Sequence, residues 1–327
     1  MSCSTASSGE RCPERWPRRQ SRDAPDSTRS EDRGIVSYVD VNGARYHLET
    51  QGDGPPLVLL HGFTGSGRSW TQLVRSLRIA ARTIAIDLLG HGLSDSPSDA
   101  SRYAIGRAVE DLLEIFDRLE LPRVNLLGYS MGGRVALSLA VAAPNRLDSL
   151  ILESASDGLS SPDERAERVR SDAALAAIAE TEGIVAFVDR WEKTPLFSTQ
   201  KDLPSDVRRA LREQRLRSNP TGLANCLRGM GTGTMEPLSA QLGTVSVRTL
   251  LIVGALDLAY LKKSKAMAAA MPAARLVVIP AAGHAIHLEQ PVRFAKAVAA
   301  FLAPTPETGL VGENKSRQGR EHVSRMD

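Results

Sequence analysis

Short apolar runs alternate with amphipathic segments through the middle of the chain. The apolar runs predict buried strands, and most are separated by segments with helical periodicity, for example Ile105–Leu119 and Met131–Ala142. This alternation favours an α/β fold: a mostly parallel, doubly wound sheet with helices on both faces. The predicted strands are Leu57–Leu60, Thr83–Asp87, Val124–Gly128, Leu147–Glu153, Thr249–Val253 and Arg275–Ile279.

Three further segments depart from this alternation. Residues 37–49 alternate in polarity around Asn42-Gly43, which predicts an antiparallel hairpin before the main sheet. From about 157 to 236, helical patterns follow one another without a convincing strand, which predicts a helical cap inserted after the sixth main strand. Such a cap would lie over the carboxyl ends of the strands, where open α/β sheets bind ligands. Residues 1–33 and 304–327 are polar and are predicted to be disordered tails, leaving 34–303 as one domain.

Bulk properties narrow the class of protein. The 327 residues carry a net charge of +3, too little to indicate a nucleic-acid partner. No run reaches the ~18 apolar residues of a membrane span, and the N-terminus lacks the apolar region of a secretory signal. The three cysteines, Cys3, Cys12 and Cys226, have neither disulfide nor metal-ligand spacing. We therefore expect a cytoplasmic monomer that binds no metal, membrane or nucleic acid.

A glycine-rich pentapeptide marks the strongest chemical signal. Gly128–Gly132 matches G-x-S-x-G, with an apolar strand before it and the helical pattern Met131–Ala142 running on from it. On a sharp strand-to-helix turn the flanking positions must be small, because the serine is held in a strained conformation. We therefore predict that Ser130 is a nucleophile or base on an α/β-hydrolase fold.

A serine hydroxyl needs an imidazole to take its proton, and on this fold the order is serine, acid, histidine. His284 follows the last predicted strand in a Gly-His loop and is preferred over His287, which is interpreted as structural. Asp257 follows the strand Thr249–Val253 and is the predicted acid. Glu153, at the end of the preceding strand, remains an alternative acid.

The loop after the first parallel strand completes the predicted site. His61-Gly62-Phe63 would turn the Phe63 amide inward, so that the backbone N–H groups of Phe63 and Met131 form an oxyanion hole. His61 is interpreted as a support of this turn. The segment Asp87–Asp95 has the D-x-x-G-x-G-x-S-D pattern of the superfamily and is read chiefly as fold support.

Several motifs closely resemble one family, the 2-succinyl-6-hydroxy-2,4-cyclohexadiene-1-carboxylate synthases of menaquinone biosynthesis. The resemblance spans roughly residues 55–302. The glycine-flanked turn at Ser130 and the loops that carry Asp257 and His284 are common to the superfamily. Arg134, which follows that turn, and the cap motifs are what discriminate the family. These motifs are Gly128–Arg134, Leu152–Ser156, Arg165–Asp172, Trp191–Phe197, Arg217–Leu223 and Leu227–Gly233.

The resemblance implies a lyase that eliminates pyruvate from 2-succinyl-5-enolpyruvyl-6-hydroxy-3-cyclohexene-1-carboxylate without a metal or cofactor. It assigns Arg134, Arg168 and Arg217 to substrate carboxylates, with Tyr129 and Trp191 shaping the pocket. A planar guanidinium binds a carboxylate bidentately, and this substrate carries three carboxylates. The cap nevertheless holds 12 basic and 13 acidic residues, so its arginines could instead form surface ion pairs.

One departure keeps a second activity open. The family commonly shows G-E-x-D-x-K-F at the acid loop, whereas Ala255 and Ala259 replace the Glu and Lys here. The predicted triad survives this change, but it could signal a shifted substrate. The alternative is a hydrolase of the same fold that cleaves an ester or a C–C bond in an acidic metabolite.

Overall fold

The computed structural model describes residues 34–303, and both predicted tails lie outside the described residues. Eight strands and ten α-helices form this part of the chain. The strands are β1 (Ile35–Val41), β2 (Ala44–Gln51), β3 (Pro56–Leu60), β4 (Arg82–Ile86), β5 (Val124–Tyr129), β6 (Leu147–Glu153), β7 (Thr249–Gly254) and β8 (Ala274–Ile279). The helices are α1 (Thr71–Leu77), α2 (Ile105–Arg118), α3 (Met131–Ala142), α4 (Pro162–Thr181), α5 (Gly183–Trp191), α6 (Ser205–Leu216), α7 (Pro220–Met230), α8 (Leu258–Ala270), α9 (Ile286–Glu289) and α10 (Pro291–Leu302).

The eight strands form one sheet in the order β1-β2-β4-β3-β5-β6-β7-β8. The β1–β2 and β2–β4 pairs are antiparallel and all others are parallel. The predicted hairpin is present, with Asn42 and Gly43 both at positive φ (49° and 79°), as a type I′ turn requires. The chain moves outward from β3 to β4 and then returns to place β5 on the other side of β3. Loops after β3 and β5 therefore meet at the switch point of the sheet, where ligands bind in open α/β folds.

Both faces of the sheet are buried. Along β3, Val58 and Leu60 join one hydrophobic cluster while Leu57 and Leu59 join the other. Helices α2 and α3 pack on the first face and α1 and α10 on the second. A strand covered on both sides reads as a continuous apolar run, which is the pattern that predicted it.

The segment between β6 and β7 forms the helical cap, with α4 to α7 in succession. It has a small hydrophobic cluster of its own that includes Phe187, Val188 and Leu223. Helix α7 also joins the cap to the main domain, because Asn225 Nδ2 donates to the backbone oxygens of Pro97 and Ser98 at 3.1 Å each. Among the described residues, no helix is long and apolar enough to cross a membrane.

Candidate active site

The predicted nucleophile sits on a strained turn between β5 and α3. Ser130 has φ 49° and ψ −105°, an unfavourable conformation for a residue with a side chain. Its amide donates to the Glu153 carbonyl of β6 at 2.8 Å, which holds the turn to the sheet. A Cβ at Gly128 would collide with the Gly132 backbone, and one at Gly132 with the Leu60 carbonyl. The glycines of the motif are therefore required by close packing of the backbone.

The structure brings the three predicted triad residues into one hydrogen-bonded chain. Ser130 Oγ lies 2.9 Å from His284 Nε2, and His284 Nδ1 lies 2.7 Å from Asp257 Oδ2. The imidazole is 1% exposed and the aspartate 8% exposed, so water competes little with these bonds. With Nδ1 protonated toward the carboxylate, Nε2 is free to accept the serine proton. The arrangement suits proton transfer by a serine–histidine pair.

The alternative acid, Glu153, has a different partner. Its carboxylate accepts from the backbone N–H of His287 at 2.9 Å, and its two oxygens lie 2.9 and 3.0 Å from His287 Nδ1. His287 in turn packs against the rings of Trp70 and Tyr129, with centroids 4.9 and 4.7 Å away. Glu153 and His287 thus form a second buried pair beside the triad, and Asp257 is the carboxylate that contacts His284.

The turn after β3 is held by His61. Its Nδ1 lies 2.8 Å from the Gly62 carbonyl, and its Nε2 accepts from the Leu88 amide at 3.0 Å. A side chain at Gly62 would collide with the Tyr129 ring, so only glycine fits there. Phe63 and Met131 line the same cavity as Ser130, and Met131 is the first residue of α3, where amides have no partner within the helix. This placement suits the predicted oxyanion hole.

A cavity of about 60 Å³ lies above Ser130, between the sheet and the cap. Of the predicted site residues, Ser130, Phe63, Met131, Tyr129, Arg134, Arg168 and Trp191 line it. None of the described residues that line the cavity is Asp or Glu, although two are arginines. The wall is therefore cationic, with apolar side chains filling most of the remaining surface.

Arg134 is the most distinctive side chain in this cavity. It lies one turn into α3, where its amide donates to the Ser130 carbonyl at 3.0 Å. The residue is 7% exposed, Nη2 donates to the Met230 carbonyl at 2.6 Å, and Nε has no hydrogen-bond partner among the described residues. Burial lowers the pKa of this guanidinium. Burying a cation without a carboxylate partner destabilises the folded protein. Such a cation is typical of a site that binds an anionic ligand.

The other two predicted arginines differ from Arg134. Arg168 reaches the cavity from α4 while its Nε donates to Asp172 Oδ1 at 2.8 Å. Arg217 follows the end of α6, and its side chain is 68% exposed and pairs with Glu213 at 3.6 Å. The structure therefore brings Arg134 and Arg168 to the cavity but leaves Arg217 outside it, because α6 turns the Arg217 side chain toward solvent.

Aromatic side chains form much of the remaining wall. Tyr129 packs its ring 5.4 Å from that of His284, and burial raises its pKa well above the usual value. Trp191 packs edge-on against Phe63 and Phe197, at 5.1 Å in both cases, and its indole N–H has no partner among the described residues. Both residues thus shape the pocket, and Trp191 offers an unused donor.

Sequence reasoning missed several residues of the wall. Phe197 packs 6.2 Å from the His284 ring, and Tyr260 packs 4.5 Å from it. Phe197 ends one of the motifs that carry the family resemblance, and Tyr260 ends the acid loop that departs from it. Those two motifs were the sequence signals that could have identified these residues. Cys226 also lines the cavity, and burial raises the pKa of its thiol to about 12, so it is a neutral wall group. Within residues 34–303, no cluster of His, Cys, Asp or Glu is arranged to hold a metal.

The family model for the alpha/beta hydrolase fold matches residues 55–291. A putative 2-succinyl-6-hydroxy-2,4-cyclohexadiene-1-carboxylate synthase of Bacillus subtilis is 44% identical over 82% of this chain and 98% of its own length. The corresponding synthase of Shigella flexneri serotype 5b is 33% identical over 76% of this chain and 94% of its own length. The structure of MenH from S. aureus superposes with a TM-score of 0.75 at 34% identity, covering 78% of this chain and 97% of that one.

Proposed function

The chain belongs to the family of 2-succinyl-6-hydroxy-2,4-cyclohexadiene-1-carboxylate synthases, and from this premise we propose that it catalyses their pyruvate elimination in menaquinone biosynthesis. The substrate is 2-succinyl-5-enolpyruvyl-6-hydroxy-3-cyclohexene-1-carboxylate. The observation that carries the proposal is the buried guanidinium of Arg134, which lies one helical turn from Ser130 and forms no ion pair with a carboxylate of residues 34–303. A site for neutral esters has no use for such a cation, whereas a substrate with three carboxylates neutralises it.

The reaction begins with loss of the hydrogen on the ring carbon that carries the succinyl group. The neighbouring ketone makes this hydrogen acidic, because the electron pair left behind can spread onto the ketone oxygen. Ser130 Oγ takes this proton as its own passes to His284 Nε2, and Asp257 stabilises the imidazolium. The amides of Phe63 and Met131 are placed to stabilise the negative oxygen that develops.

Elimination follows from the same electron pair. The ring double bonds shift to the 2,4-diene, and the bond from the ring to the enolpyruvyl oxygen breaks. The leaving enolate takes up one proton and tautomerises to pyruvate. The Ser130–His284 pair holds one extra proton after the abstraction, so His284 can donate a proton to the leaving enolate without water as a reactant.

Substrate carboxylates would be held from the cap side of the cavity. Arg134 and Arg168 already line it, and Tyr129 and Trp191 form its walls. The cavity of about 60 Å³ is smaller than the ~300–1,000 Å³ of ordinary ligand pockets, so binding must displace cap side chains. Arg217 would join the site only if α6 shifted, and its role in carboxylate binding stays a prediction.

Pyruvate release tests the proposal directly. The enzyme is incubated with the enolpyruvyl substrate, and pyruvate is detected by lactate dehydrogenase as oxidation of its reduced nicotinamide cofactor. We expect release by the wild type and loss of most activity in folded Ser130→Ala and His284→Ala variants. If the wild type released no pyruvate above the spontaneous rate, or if either variant matched it, this assignment would be wrong.

The alternative is a hydrolase acting on an ester or C–C bond of an acidic metabolite. The same bonds between Ser130, His284 and Asp257 would support it. That mechanism passes through an ester of Ser130 that water then cleaves. Intact-mass analysis of the protein during turnover separates the two, because only the hydrolase accumulates a mass adduct on Ser130. Analysis of the product in labelled water does so as well, because only the hydrolase incorporates oxygen from water into its product.

The cellular setting is proposed on simpler grounds. We propose that the enzyme acts as a cytoplasmic monomer on a small polycarboxylate, without a cofactor and without nucleic-acid or membrane partners. Cys226 is a free, buried thiol, which suits a reducing compartment. Size-exclusion chromatography with light scattering tests the monomer, and fractionation of cells tests the compartment.

A further inference from the structure

Tyr260 is tied to the catalytic triad through its backbone. Helix α8 begins directly after Asp257, whose Oδ1 accepts the Tyr260 amide at 3.3 Å while Oδ2 contacts His284. One carboxylate therefore fixes both the imidazole and the first turn of α8. The Tyr260 backbone is thereby anchored beside the triad.

The Tyr260 ring lies against the catalytic imidazole and faces the cavity. Its centroid is 4.5 Å from that of His284, with the rings inclined at 61°, and the residue lines the cavity together with Arg134 and Arg168. The resembling family commonly has phenylalanine at this position. The phenol hydroxyl is thus a polar group that phenylalanine at this position would lack.

The electrostatic surroundings make this hydroxyl a hydrogen-bond donor toward an anion. Burial raises the pKa of Tyr260, and the guanidiniums of Arg134 and then Arg168 act against that rise. Both arginines line the same cavity as Tyr260, and the raised pKa keeps its phenol protonated at neutral pH. None of the described cavity-lining residues is acidic, and Asp172, the carboxylate whose charge acts on Arg134, is bonded to Arg168 instead.

We propose that Tyr260 is a specificity-determining residue whose hydroxyl donates a hydrogen bond to a substrate carboxylate that Arg134 also binds. This inference rests on the proposed function, because it deepens the recognition of an acidic substrate at the same site. The cavity then presents a planar guanidinium and a phenol to one carboxylate. An uncharged analogue leaves both donors without an acceptor and is rejected.

The first test is kinetic. Tyr260→Phe removes one oxygen and keeps the ring against His284, so we expect KM for the enolpyruvyl substrate to rise about 10- to 100-fold, as for loss of a hydrogen bond to a charged group. The kcat should stay within about threefold, because the triad is untouched. Tyr38→Phe removes the same atom from an exposed residue of β1 and serves as the matched control. An unchanged KM, or a fall in kcat alone, would overturn the proposal.

The second test is independent of turnover and uses tricarballylate, a stable tricarboxylate, as the probe. We expect it to raise the melting temperature of the wild type and of Tyr38→Phe, and to stabilise Tyr260→Phe less. A tenfold weaker Kd removes about 1.4 kcal/mol of ligand-dependent stabilisation at saturation. Equal shifts in wild type and Tyr260→Phe, or no shift in the wild type, would count against the proposal. If the wild type releases no pyruvate yet shows these shifts, the proposed reaction fails and the carboxylate contact stands.

Discussion

Replacing Arg134 by methionine should separate activity from stability. The guanidinium is buried beside Ser130, with one donor bonded to the Met230 carbonyl at 2.6 Å and Nε without a partner among the described residues. Methionine keeps an unbranched apolar stem of similar reach and removes the charge. If the charge is retained for the substrate, the fold does not depend on it.

The expected magnitudes follow from those contacts. Removing one partner of a buried charge pair costs about 2–5 kcal/mol, which corresponds to a loss of roughly 30- to 5,000-fold in kcat/KM. For folding, loss of the bond to Met230 leaves a carbonyl unsatisfied at a cost of about 1–3 kcal/mol. The variant also no longer buries an unpaired cation, whose desolvation costs several kcal/mol, and this gain offsets the loss of the hydrogen bond. We therefore expect the free energy of unfolding to stay within about 1 kcal/mol of the wild type.

The assay pairs kcat/KM for pyruvate release with urea unfolding on the same preparations. Arg107→Met is the matched control, because the Arg107 side chain on α2 is 59% exposed and pairs with Glu110 at 2.7 Å. Arg134→Lys should recover only part of the activity, since it supplies the charge without the planar fork. Activity within about threefold of wild type in Arg134→Met would refute the reasoning. So would a loss of several kcal/mol in stability, which would make Arg134 a structural residue.

Three further outcomes follow from the structure. Asp257→Asn should lower kcat by about 10⁴-fold, as in serine proteases, with Glu153→Gln much milder; the reverse order in pyruvate assays would make Glu153 the acid. Arg217→Ala should change kcat/KM less than about threefold if its exposed position persists in the complex, and a larger loss would show that α6 moves. Burial lowers the pKa of His91 to about 3. The neutral imidazole therefore contributes its full stabilisation of the folded state above about pH 6.5, and this stabilisation is lost as the pH falls toward 3. Urea unfolding should show about 2 kcal/mol lost from pH 8 to pH 5, with a smaller loss in His91→Gln.

The fold was predictable because the signals for it are local. In β3, burial on both faces requires Leu57–Leu60 to be apolar at every position, and the observed strand differs by one residue at its start. Asn42 and Gly43 tolerate the positive φ of a hairpin turn, which fixes where β1 ends and β2 begins. Strand and helix boundaries thus follow from residue types at the boundaries themselves.

The candidate site was predictable only in part, for a related reason. Ser130, Asp257 and His284 each follow directly on a strand or its loop, so the order of the parallel strands alone brings them to one edge of the sheet. The direction of a cap side chain depends instead on how helices pack against each other. The motif around Arg217 therefore could not show that its side chain faces solvent, and Tyr260 was visible only as a departure in the acid loop.

Charge counting describes the cap but not the cavity, for the same physical reason. The cap has nearly equal numbers of basic and acidic residues, and the structure shows how they pair: Arg228 with Glu180 at 2.6 Å, and Arg212 with Asp189 at 2.6 Å. These ion pairs neutralise cap arginines at the surface, where each pair contributes little to the stability of the fold. Arg134 belongs to α3 rather than to the cap, and no described acid pairs with it. The charge that a ligand meets is thus set by which cation is left without a partner in the cavity, and a balanced composition is fully compatible with a strongly anion-selective site.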